Sequence, residues 1–168
     1  MTLNQATLWL QDGQGQDPKY WVFFGDLCTI KAVGKDTGET YALVEFVVRP
    51  QNGPPPHRHT HENESFFVRD GEVEFHLDDE TIVATAGTFI HSPKGQRHSF
   101  INRGSTPAKM LVWVTPAGLE KFFAEAGVPA EGEFTLSPPV RPDELEQILA
   151  VSPKYGVEII PPSSQASD

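Results

Sequence analysis

From Tyr20 to Val114 the chain runs as short apolar-rich stretches separated by turn residues, and that rhythm constrains the fold more than any other feature. Tyr41 to Arg49, Ser65 to Val68, Glu72 to Leu77, Thr81 to Ala84, Thr88 to His91, His98 to Ile101 and Ala108 to Val114 read as strands. Asp70-Gly71, Asp78-Asp79-Glu80 and Asn102-Arg103-Gly104-Ser105 supply the reversals between them. Strands at this spacing predict an all-β sandwich or barrel. Pro54-Pro55-Pro56 has no backbone donors for a ladder, so it is expected at a rim, delivering His57 to the barrel mouth.

After Thr115-Pro116 the period changes. Leu119, Phe122, Phe123 and Ala126 stand at helical spacing within Ala117 to Gly127, with the glycine as a stop. A second helix is expected from Arg141-Pro142-Asp143 to about Ala150, presenting Leu145, Ile148 and Leu149 on one face. The expected division is an N-terminal arm (1–19), a barrel (20–115), a C-terminal helical extension packed outside it (116–160) and a disordered tail (161–168).

A net charge of −10 argues against nucleic acid and against anionic membrane surfaces, both of which require a basic face. The opening residues lack the basic patch and apolar run of a leader, and no stretch approaches 18 apolar residues, so the expectation is a soluble cytoplasmic protein. One cysteine, Cys28, excludes an internal disulfide and reads as a small buried thiol.

Two spaced patterns carry the chemistry. His57-Arg58-His59, four residues, Glu64, six residues and Gly71 form the first; Gly87-x5-Pro93-x-Gly95-x2-His98-x3-Asn102 forms the second. Three imidazoles and one carboxylate suit a first-row divalent ion: iron, manganese, nickel, copper or zinc. On a strand His57 and His59 share a face, roughly 6.6–6.8 Å apart, and can converge on one ion. Glu64 reaches the same point only if the chain reverses across Thr60 to Asn63. Of the remaining histidines, His61 reads as a solvated turn residue or a neighbour of the site, while His76 and His91 read as structural.

These residues resemble the two motifs of the cupin superfamily, small jelly-roll barrels. The second motif matches at every fixed position, and its Gly-x5-Pro-x-Gly portion alone is expected by chance roughly two times in ten thousand start points. The first departs once, with Gln51 where the family carries glycine. A rival register through His59-Thr60-His61 would place the carboxylate at Ser65 or Phe66, neither of which can serve, so the ligand set is His57, His59, Glu64 and His98. The resemblance implies a double-stranded β-helix. Within the superfamily the Pro-rich approach to His57 and the Pro-Ala-Gly-Leu-Glu-x-Phe-Phe segment are similar to single-domain quercetin-dioxygenase-like members, which implies a homodimer.

Four protein ligands leave open positions on a five- or six-coordinate ion. Strand parity predicts a pocket wall of Phe66, Val68, Phe75, Phe100, Met110 and Val112, an apolar lining suited to an aromatic small molecule. The quercetinase resemblance implies that Glu64 is both ligand and base toward a substrate hydroxyl, with dioxygen as co-substrate. A metallated barrel that only binds a small molecule, and a cupin isomerase or decarboxylase, stand beside that reading.

Overall fold

The computed structural model describes residues 7–23, 25–130 and 143–160. The expected helix start at Arg141-Pro142, the 161–168 tail and the first six residues of the arm lie outside the described residues.

Twelve short strands build two antiparallel sheets among the described residues. In chain order they are β1 (Lys19–Val22), β2 (Asp26–Ala32), β3 (Ala42–Val48), β4 (His57–His59), β5 (Asn63–Asp70), β6 (Glu72–Leu77), β7 (Glu80–Thr85), β8 (Phe89–Ser92), β9 (His98–Ile101), β10 (Ala108–Thr115), β11 (Val128–Ala130) and β12 (Val157–Ile159). One sheet runs β11-β1-β2-β3-β10-β5-β8 and the other β12-β4-β9-β6-β7. Helices α1 (Gly34–Thr37), α2 (Glu120–Ala126) and α3 (Glu144–Val151) lie outside this jelly roll, and none is long and apolar enough to cross a membrane.

Period-2 alternation sets the inner faces. Ala108, Met110, Val112 and Val114 of β10 are fully buried, while Lys109, Leu111 and Trp113 between them are half-buried on the outer face. Val73, Phe75 and Leu77 answer them from β6. The two inner faces meet through Phe66, Phe75 and Phe100, whose ring centroids lie 5.0–6.0 Å apart. Cys28 is buried, as its apolar surroundings predict.

The expected strands all form, Glu72–Leu77 and His98–Ile101 with the expected ends and the others within two residues. The region after Thr115 differs more. The first helix begins at Glu120 and buries Leu119, Phe122, Phe123 and Ala126; Phe123 sets its ring edge-on to Phe46 at 5.3 Å. In α3 the inward row is Glu144, Ile148 and the following Ser152, spaced by four, whereas Leu145 and Leu149 are 43% and 47% exposed. The expected three-residue apolar face is therefore off by one position. Strands β11 and β12 carry no periodic signal, because three residues complete barely one alternation; β12 nonetheless pairs with the full length of β4.

The loop that leads from β3 to the prolines is fastened at Asp26. Its Oδ1 accepts from the Arg49 amide at 2.9 Å and from Asn52 Nδ2 at 2.7 Å, while Oδ2 is buried without a hydrogen-bond partner. Burial pushes this carboxyl up to about 7, against the two hydrogen bonds that favour its charged form.

Candidate metal centre

Three strands bring the four ligand-type side chains together. His57 and His59 project inward from β4 while Arg58, between them, turns out to pair with Glu158 of β12 at 2.6 Å. The chain reverses after Thr60, so Glu64 enters as the second residue of β5. His98 opens β9 directly opposite His57 in register. All four are buried, and one donor atom from each lies within 4.8 Å of every other.

Glu64 Oε2 is the meeting point. It lies 2.8 Å from His98 Nε2 in a hydrogen bond, and 3.0 Å from His59 Nε2, which faces it too obliquely to bond. The imidazole rings crowd together, with centroids 4.4–5.3 Å apart. Burial, reinforced by the neighbouring His98 and His59, holds His57 down at about 3, so it stays neutral. Burial opposes ionisation of Glu64, but the pull of His59 and the bond from His98 outweigh it and keep the carboxyl well below the usual range. The same Glu64 contact raises His98 against the burial that disfavours its charge. A hydrogen bond thus links Glu64 and His98 where a cation fits. Convergent imidazole nitrogens, one anionic oxygen and a buried unpartnered Nε2 match a first-row divalent ion.

The cavity beside these residues is narrow, with about 10 Å3 of water-accessible volume. Its wall is Phe23, Phe46, Pro54 and Phe100 from the barrel, Phe122 and Phe123 from α2, and Val157 and Ile159 from β12. Of the wall expected from parity, Phe100 takes part; Phe66, Val68, Phe75, Met110 and Val112 instead fill the core. Parity assigns a face but not a depth. The ligand-type residues sit at one end of their strands, so Phe66 and Val68, two and four residues beyond Glu64, lie successively deeper, with Phe66 edge-on to the His98 ring at 5.9 Å.

The other histidines are peripheral. His61 is exposed, His76 hydrogen-bonds Thr81 Oγ1 at 3.2 Å and lies 2.9 Å from a Glu74 carboxylate oxygen, and exposed His91 meets Ser65 Oγ at 2.8 Å. The residue that strand logic overlooks is Glu62, treated as part of a polar turn. It is only 5% exposed, its burial raises its pKa, and its Oε2 lies 4.0 Å from His59 Nδ1. The signal available was its position three residues after a ligand, which is not distinctive by itself.

Residues 44–114 match the cupin domain family. The barrel has the cupin fold. Among curated relatives, quercetin 2,3-dioxygenase of Bacillus subtilis (strain 168) is 29% identical over 91 residues, covering 54% of this chain and 26% of that protein. Mannose-1-phosphate guanylyltransferase 2 of Escherichia coli O157:H7 is 32% identical over 76 residues, covering 45% of this chain and 16% of that protein. The chain therefore spans about a quarter or less of the length of these relatives. Among solved structures, an RmlC-like cupin from Shewanella frigidimarina superposes with a TM-score of 0.58 at 16% identity, covering 70% of this chain and 97% of that one. The cupin's one departure from the motif is also legible in the backbone: Gln51 adopts a left-handed φ of 58°, the conformation glycine takes without strain.

Proposed function

We propose that this cupin is a metal-dependent dioxygenase acting on a hydroxylated aromatic or similarly enolisable small molecule. The observation that carries the reading is a buried, ionised Glu64 facing a cavity whose remaining wall is aromatic and aliphatic. His57, His59, His98 and Glu64 would hold the ion, which when bound supplies a Lewis acid for a substrate oxygen and a partner for dioxygen. Glu64 receives the hydroxyl proton at its carboxylate, and the rings of Phe23, Phe46 and Phe123 flank a flat apolar substrate and exclude water. No lysine or arginine lines the described cavity. Apart from the ion itself, a phosphate or sugar would find no cationic side chain and few polar partners in this wall, which favours an apolar guest.

We further propose a cytoplasmic homodimer, supported by the outer face of the larger sheet, where Phe89 is 60% exposed. The functional test is oxygen uptake by protein reconstituted separately with iron, manganese, nickel, copper and zinc on a panel of hydroxylated aromatics. Uptake with a redox-active ion, abolished by Glu64→Gln beyond any loss of metal, is the expected result. Tight ligand binding with no uptake in any metal form would replace the enzyme by a binding protein.

A further inference from the structure

The three histidines are not anchored alike. His57 Nδ1 lies 2.8 Å from the Pro55 carbonyl, and His98 Nδ1 lies 3.1 Å from the Gln96 carbonyl. A carbonyl only accepts, so both Nδ1 atoms carry hydrogen and both rings turn Nε2 toward the centre. His59 Nδ1 is buried without a hydrogen-bond partner. The atom facing it, 4.0 Å away, is Glu62 Oε2, also buried and also unpartnered. A donor and an acceptor side by side and both unmade cost about 1–3 kcal/mol each in a closed interior. On its other side Glu62 Oε1 packs against Gly118, close enough that a Cβ there would lie 3.5 Å from it. Glu62 is not part of the cavity wall.

We infer that Glu62 is the positioning residue for His59, accepting its Nδ1–H and thereby presenting Nε2 to the ion. The inference rests on the metal reading of the site. It supplies for His59 what backbone carbonyls supply for the other two histidines. The separation closes by about 1 Å to reach hydrogen-bonding distance, within the range of a glutamate side-chain rotation. Glu62 thus acts through His59 and needs no contact with substrate. A carboxylate partner makes the imidazole a stronger donor to the ion than a carbonyl does.

Cobalt(II) titration of metal-free protein tests this, because both affinity and the visible ligand-field absorption are read. Glu62→Leu, which keeps bulk and removes the acceptor, is expected to weaken cobalt binding about 10- to 100-fold and to shift the absorption, while Glu62→Gln recovers most of the affinity. In a His59→Ala background Glu62→Leu should add less than about twofold, since the residue through which it acts is gone. Wild-type affinity and spectrum in Glu62→Leu, or equal losses in both backgrounds, would overturn the inference. Should Glu62→Leu fail to fold, nitrogen NMR of the wild-type imidazoles decides: a slowly exchanging, strongly bonded His59 Nδ1–H with metal bound supports it, and rapid exchange refutes it. Wild-type protein that binds no cobalt sinks the metal reading itself, whereas wild-type binding with indifferent Glu62 variants sinks this inference alone.

Discussion

Strands β10 and β4 are built on opposite principles. β10 is paired along its length on both sides, with β3 from Ala108 to Val114 and with β5 from Lys109 to Thr115. β4 is three residues long, meets β9 at His57 opposite His98, and is otherwise held by β12. The strand that carries two of the four ligand-type residues is therefore among the least supported by the ladder. Long, doubly paired strands supply the stability, and a short strand near the sheet edge supplies two of the four donors. Three of those donors stand on the smaller sheet and Glu64 on the larger, so an ion held there would tie the two sheets together.

The largest effect that separates the two regions comes from paired substitutions. His98→Ala should reduce metal content to a small fraction of one ion per chain while circular dichroism still reports a folded barrel. Phe66→Ala should cost about 3–5 kcal/mol of stability with or without metal, because it empties a fully buried position between the sheets. Elemental analysis and urea unfolding read the two; full metal retention by His98→Ala would erase the distinction.

An intermediate effect is expected at β12. Deleting residues 157–168 leaves β4 without most of its ladder, and ordering three residues costs about 1–2 kcal/mol each. Metal affinity should fall about 10- to 100-fold while hydrogen exchange across β3 and β10 stays unchanged. Equal affinity in the shortened chain would mean that β4 needs no support.

The smallest effect concerns the approach loop. Asp26 has its folded pKa raised to about 7 from an ordinary 3.8, so its favourable contribution is fully present below 3.8 and is lost as pH rises through 7. Asp26→Asn, neutral throughout, should gain relative to wild type between pH 4 and pH 8 by on the order of 2 kcal/mol. His57 and Glu64, both held low, contribute slopes of the opposite sign on the acid side: their stabilisation is lost as pH falls, from about 6.5 for the imidazole and from 4.5 for the carboxyl. Those slopes are common to both proteins and cancel in the difference, measured on chelator-treated samples. Parallel stability curves would show that Asp26 titrates normally.

The strands were legible because each has an inner and an outer parity, and the ligand residues because His57, His59, Glu64 and His98 stand at fixed offsets from glycines and a proline that shape the turns. What escaped depends on depth and on distant partners. Phe66 and Phe100 share inward parity with ligands, yet one lies beneath the centre and the other beside it, a difference set by where the strands cross. Phe122 and Phe123 read correctly as a packing stripe, but nothing in their spacing says that they roof the cavity. Glu62 was hidden because a carboxylate in a polar turn is ordinary until burial removes its water.

The narrowness of the central cavity makes the protein a sieve in its closed form. About 10 Å3 of accessible volume holds roughly one water-sized molecule, so a diatomic gas enters where a ring compound cannot. An aromatic guest must displace part of the wall that Phe122, Phe123, Val157 and Ile159 help to form. The arrival time of such a guest is then set by how often that aromatic roof breathes, and encounter at the surface does not govern it.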